Sequence, residues 1–266
     1  MTAGSSVVKI TAKTALKGNW LRCIAAGMVF IVSAMAVSLT AQLLYHSAGT
    51  VCYSAAFILL SVFILAPLFI GTLRYFWRML FGVKDSVSSV FYYFSSRFDY
   101  LRALKLTVGM FVRFGLTAVA LNIPYYLVQL VSSSWFYDWF DMARPIWTAN
   151  LQPLAMILRI VASVGVFFTM IRYYAAPMLF VADDNINVAE AFHTSSVIAK
   201  VGAIDFVYLC FSFLGWIILS VFVFPLMVTF PYMMTAYLVH TRFAVAQYNK
   251  HIEQSDSAVD TFAEGF

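Results

Sequence analysis

The stretch IAAGMVFIVSAMAVSLTAQLL, residues 24–44, carries no charge in 21 positions, and VCYSAAFILLSVFILAPLFIGTL, residues 51–73, carries none in 23. About 20 consecutive apolar residues cross the hydrocarbon core of a bilayer as a helix. In hydrocarbon every backbone N–H and C=O must be satisfied within the chain, so runs of this length read as helix. A short gap between them makes the pair a hairpin. The first run is longer than a signal-peptide core and lacks a small-residue cleavage site, so it is expected to stay as a helix.

Working outward, composition points the same way. Hydrophobic residues make up 62% and charged residues 11% of 266, with a mean hydropathy of +0.85. That balance excludes a water-soluble core. The sequence predicts an all-α fold: a polytopic membrane helical bundle of six transmembrane helices in three hairpins, over 21–45, 51–78, 105–131, 152–181, 201–223 and 226–247. The last two come from one uncharged run, 206–241, which as a single helix would measure roughly 54 Å, nearly twice the hydrocarbon thickness. A bend near Phe224 and Pro225 is expected, and five crossings, with the last run crossing once, are the alternative. Residues 1–251 read as a single membrane domain. The end, 252–266, with Glu253, Asp256, Asp260 and Glu264, reads as a flexible acidic tail.

Helical periodicity marks the gaps between hairpins. Over 5–18, Val8, Ala12, Ala15 and Leu16 form an apolar side, while Lys9, Lys13 and Lys17 make a basic stripe beside Trp20. Such a stripe suits anionic headgroups, each nearby Lys contributing roughly 1 kcal/mol. A second amphipathic helix is expected over 85–102, through Val87, Val90, Phe91, Phe94, Phe98 and Leu101, with Asp85 as its cap. A third is expected over 185–199, through Val188, Ala191, Phe192, Ser195 and Ile198. Amphipathic helix followed by hairpin then recurs three times, from near Ser5, Asp85 and Asp184, an internal repeat that could enclose an inward-opening cavity. Between the fourth and third crossings, Trp135, Phe136, Tyr137, Trp139 and Trp147 read as an interfacial aromatic belt.

Orientation follows from the basic residues. Lys9, Lys13, Lys17, Arg22, Arg74, Arg78, Lys84, Arg97, Arg102, Lys105, Lys200, Arg242 and Lys250 fall on one side and Arg144 alone on the other. The positive side is cytoplasmic, which places both termini there.

Three arginines lie inside apolar stretches: Arg113, Arg159 and Arg172. A charge at such depth needs water, a counter-ion or an anionic ligand. Arg113 and Arg172 sit roughly 12 and 16 Å from the cytoplasmic boundary at 1.5 Å per residue. Asp205 is the nearest available carboxylate, and Tyr173, Tyr174, Asn122 and Tyr125 can add hydrogen bonds. Two cations against one acid leave room for a phosphate, which guanidinium binds in a planar, bidentate manner. The expected ligand-binding residues are therefore Arg113, Arg172, Tyr173, Asn122 and Asp205, with Lys9, Lys13, Lys17 and Trp20 as headgroup contacts. Arg159, about 220° around the helix from Arg172, is expected to reach outward to the interface instead.

Catalytic groups are scarce. His46, His193, His240 and His251 are isolated, Cys23, Cys52 and Cys210 have no metal-ligand spacing, and no Gly-rich phosphate loop occurs. No catalytic residue, metal or cofactor is expected.

Short motifs carry a resemblance. Ala15-Leu16-Lys17-Gly18-Asn19-Trp20, Pro177 followed by Ala182-Asp183, Ala191 with Ser195, Phe213-Leu214-Gly215-Trp216 and Pro231-Tyr232 resemble an uncharacterised bacterial integral-membrane family, domain of unknown function family 975. It is akin to the membrane domain attached to some glycerophosphodiester phosphodiesterases. The resemblance implies a multi-pass protein of the bacterial cytoplasmic membrane and assigns no catalytic residue. Two functions stay open: a non-enzymatic protein that binds or transports a lipid or small anionic amphiphile, and a regulatory, scaffolding or immunity subunit of a membrane complex. An intramembrane enzyme is a third. The expected partners are membrane lipids, anionic ones included, with a second copy or another membrane protein also open and nucleic acid not expected.

Overall fold

The structure is a computed structural model and describes residues 4–142, 145, 150–220 and 222–263. Among them regular structure is helical throughout. Five helical stretches are long and apolar enough to cross a membrane: Trp20–Leu43, Gly49–Leu80, Arg97–Ser132, Gln152–Ala182 and Val188–Ser212. The chain divides into two compact bodies, one of residues 1–108 with 173–266 and one of residues 109–172.

In the larger body, α1 (Ser5–Leu16) buries Val8, Ala12 and Leu16. Val8 and Ala12 pack on Leu209, Phe213, Ala236 and Val239. Gly18, at φ 87°, turns the chain into α2 (Trp20–Leu60), which breaks at Gly49, φ 80°. Glycine adopts such angles without the Cβ clash that other residues meet. A π-helical turn, Ser61–Leu65, leads into α3 (Ala66–Leu80). Pro67 there has no N–H to give the Phe63 carbonyl four residues back. The Tyr100 hydroxyl donates to that carbonyl instead, at 3.0 Å.

Helix α3 buries a long row of residues: Pro67, Leu68, Ile70, Gly71, Thr72, Leu73, Tyr75, Phe76 and Met79. A Cβ on Gly71 would fall on the Val90 carbonyl oxygen, so glycine is what lets the next segment's backbone touch α3. That segment differs from the single helix expected over 85–102. It is a 3-10 turn, Val87–Phe91, then α4 (Tyr92–Ser95), an extended residue, Ser96, and the start of α5 (Arg97–Ser132). Serine chemistry explains the breaks. Ser86, not Asp85, accepts from the Ser88 N–H, Ser95 Oγ donates to the Tyr92 carbonyl at 2.6 Å, and Ser96 Oγ accepts from the Phe98 N–H. Such bonds offer the backbone an alternative to the helix.

The third unit also departs from expectation. Helix α7 (Gln152–Arg172) stops before Pro177, and a turn at Tyr173–Ala175 leads to α8 (Ala176–Ala182). Asn187 caps α9, its side chain accepting from the Ala189 N–H. The break expected between 185–199 and 201–223 is absent: α9 runs unbroken over Val188–Ser212 and α10 follows over Leu214–Leu219. Nothing between Val188 and Ser212 stops a helix except the tolerated Gly202. Helix α11 (Val223–Ala263) begins beside the expected bend, with Pro225 in its first turn, where a missing N–H is harmless. It also continues through the expected flexible tail as far as Ala263, since no Pro or Gly falls between Pro231 and Gly265.

The smaller body holds α5 from Gly109, α6 (Ser134–Trp139) and α7. Leu121 of α5 packs over Gly165 of α7. Of the aromatic belt, Trp135, Phe136, Tyr137 and Trp139 form α6, capped by Ser133; Trp147 and Arg144 lie outside the described residues.

Candidate functional site

The expected ligand residues fall in different bodies. Arg113, Asn122 and Arg172 belong to the smaller one, Tyr173 and Asp205 to the larger. Arg113 Nη1 donates to the Gly109 carbonyl at 3.1 Å and Asn122 Nδ2 to the Ala118 carbonyl at 2.7 Å, both within α5. Arg172 is exposed at the end of α7. Arg159 donates to the Tyr125 hydroxyl at 3.3 Å with its guanidinium over that ring, 5.4 Å from the centroid. Tyr173 packs edge-on against Phe192, and Asp205 lines a small cavity beside His240.

The basic stripe of α1 is split. Lys13 and Lys17 are exposed, and Trp20 is half-buried at the start of α2. Lys9 turns to the end of α9, where its ammonium donates to the Ser212 carbonyl at 3.0 Å and to Ser212 Oγ, above the Phe213 ring. A lysine there satisfies a terminal carbonyl and complements the negative end of the helix dipole.

The densest polar cluster was missed in the sequence. Arg74 of α3 grips Asp184 with both terminal guanidinium nitrogens, Nη2 to Oδ2 at 2.9 Å and Nη1 to Oδ1. The Tyr92 ring stacks on the guanidinium at 3.9 Å. The Arg74 hydrogen bonds hold the Asp184 carboxyl below the usual aspartate range, against a weaker upward push from burial. Burial pushes the Tyr93 phenol up to about 12 despite the opposing Arg74 charge, so it stays neutral. Arg102 completes the cluster, donating to the Ile186 carbonyl at 3.2 Å and lying over Phe180. The connection 183–187 is thus held by two arginines. One turn further along α3, Arg78 Nε meets Asp85 at 2.8 Å. The aspartates that open the second and third expected repeats both pair with one helix. Two arginines four apart on α3, ahead of two loop aspartates, were the available signal.

The larger body also holds an apolar cleft of about 280 Å³, near the lower end of the roughly 300–1,000 Å³ usual for small-ligand sites. Phe69, Pro177, Phe206, Phe213, Met233 and Tyr237 line it, from α3 and α8 through α11. The Tyr237 hydroxyl is engaged with the Tyr174 carbonyl at 2.6 Å. Its walls offer van der Waals contact and little else, chemistry that suits a hydrocarbon chain. Among the described residues no three His, Cys, Asp or Glu side chains converge in a way that could hold a metal ion.

A family described as a protein of unknown function, DUF975, matches residues 1–244. The chain belongs to that family. No curated protein and no solved structure matches it. In this DUF975 chain the motif at Ala15–Trp20 is the turn from α1 to α2, with Gly18 at its positive-φ position. Pro177 opens α8 and lines the cleft, Ala191 and Ser195 are buried on α9, and Ser195 Oγ accepts from the Ala175 N–H at 3.1 Å. Phe213 joins α9 to α10, Leu214-Gly215-Trp216 open α10, and the Phe213 and Trp216 rings both face Tyr232. Most of these motif residues serve turns and helix contacts around the cleft.

Proposed function

We propose that this DUF975 protein binds a lipid or another single-chain amphiphile, with the acyl chain in the apolar cleft between α8, α9 and α11. The cleft itself carries the reading: about 280 Å³ walled by aromatic, Met and Pro side chains. Each methylene that leaves water for such a wall contributes about 0.8 kcal/mol, and one that leaves the bilayer gains packing contacts alone. The protein sits in the bacterial cytoplasmic membrane with six crossings in three hairpins and both termini in the cytoplasm. The thirteen-to-one distribution of basic residues supports that orientation. As a separate proposal, independent of the cleft, Arg113 and Arg172 of the smaller body contact an anionic headgroup, since guanidinium suits phosphate. The binding role is non-enzymatic.

Native mass spectrometry of gently extracted protein tests the proposal. Wild type retains a bound lipid mass, and Met233→Trp, which fills the cleft, lowers the retained fraction at least fivefold. Equal retention in both removes the cleft from the proposal. A protein subunit bound in place of lipid instead favours the regulatory role.

A further inference from the structure

Three arginines act on Asp184: Arg74, Arg102 and Arg78. Arg74, its side chain 11% exposed, holds the carboxylate directly, and Arg78 has Asp85 of its own at 2.8 Å. Arg102 is the cation in excess. It spends one N–H on the Ile186 carbonyl, lies over Phe98 and Phe180, and pairs with no carboxylate among the described residues. Asp99, three residues back on α5, makes no ion pair there either, and Asp183 accepts at Oδ1 from the Asn185 N–H. In the same cluster Tyr93 is 1% exposed. The Arg74 guanidinium lies near its hydroxyl, yet Arg74 Nε and Tyr93 Oη are both buried without a completed hydrogen bond. Buried polar groups are nearly always paired, so two such donors beside an unneutralised arginine point to a missing acceptor.

We propose that Arg74 and Arg102 form a binding site for a phosphate group, and that Asp184 is a displaceable anion holding its place. An enclosed guanidinium is costly without an anion, and its fork takes carboxylate and phosphate in the same bidentate geometry. Asp184 fills that fork here, so a phosphate enters by exchange. The exchange is easy on the side of the leaving group. More than half of the Asp184 side chain already meets water, and the 183–187 connection that carries it is not helical. A phosphate brings more oxygens than a carboxylate, for the spare N–H groups of Arg102 and the unpaired donors of Arg74 and Tyr93. The Tyr92 ring stays over the Arg74 guanidinium throughout. Both arginines belong to the basic side of the chain, where phosphate arrives as an anionic headgroup or as the free ion. Only hydrogen bonds and ion pairs change. The site shares no residue with the apolar cleft and stands whether or not that cleft holds an acyl chain.

The test is hydrogen–deuterium exchange of the full wild-type chain in phosphatidylcholine nanodiscs with and without phosphatidic acid. Amides of 183–187 exchange at least threefold faster with phosphatidic acid, because releasing Asp184 frees the connection. The same rise with inorganic phosphate over phosphatidylcholine alone supports the site and makes the free ion its anion. No rise with either overturns it. This measurement needs no variant, so it decides even where a variant fails to fold. Native mass spectrometry then weighs the competing carboxylate, with phosphatidic acid as the titrant or, in the second case, inorganic phosphate. Asp184→Asn raises the affinity of the tightest-bound anion at least fivefold over wild type, and adding Arg102→Gln to it removes that gain. No gain in Asp184→Asn, or a gain that survives the loss of Arg102, overturns the exchange.

Discussion

Replacing Asp184 by Asn keeps the shape of the side chain and removes its charge, leaving Arg74 without a carboxylate. The Arg74 side chain is 11% exposed and that of Asp184 55%. Removing one partner of a fully buried pair costs roughly 3–5 kcal/mol, and an exposed pair contributes roughly 0.2–1. One partner here is enclosed and the other wet, so the expected cost is about 2 kcal/mol, with the Tyr92 ring still supporting the cation. Reversible unfolding in mixed micelles titrated with SDS measures it. A double-mutant cycle with Arg74→Met should give a coupling of about 1 kcal/mol or more. Because the pair holds the Asp184 carboxyl below its ordinary value of 3.8, its stabilisation is complete above that pH. It fades as the pH falls through the lowered value, so wild type and Asp184→Asn should converge in acid. A coupling indistinguishable from zero, or a difference between the two that persists unchanged in acid, refutes the argument.

Gly71→Ala pushes a methyl into the Val90 carbonyl and should destabilise by about 1–3 kcal/mol in the same assay; Gly115→Ala, with nothing near its Cβ position, should be close to neutral. Lys9→Met keeps the stem of the side chain but loses the bonds to Ser212, and should cost about 1 kcal/mol, with no loss of membrane association on flotation. Arg113→Gln together with Arg172→Gln should lower co-purifying anionic lipid at least twofold by lipid mass spectrometry, and unchanged lipid content removes both residues from headgroup contact.

Much of the helical class was legible from apolar run length alone, since hydrocarbon permits few other backbones. Boundaries were less so. Lys200 and Lys105 read as water-side punctuation, yet α9 and α5 run straight through them, because lysine is a good helix former and charge alone does not stop a helix. Serine stops one locally: Ser86, Ser95 and Ser96 divide a segment whose apolar period looked continuous. The Arg74 cluster stayed hidden because Asp184 lies 110 residues away, and pairing at that separation is tertiary information. The bond from Lys9 to Ser212 was hidden for a related reason. The spacing of Lys9 with Lys13 and Lys17 is a fact about one helix, whereas its destination depends on where α9 ends.

Arg74 and Arg78 are four residues apart, so they project from the same side of α3. Each anchors a different connection of the chain, the one entering α4 and the one entering α9. The two connections therefore share one anchoring helix, and a shift of α3 would strain both ion pairs at once.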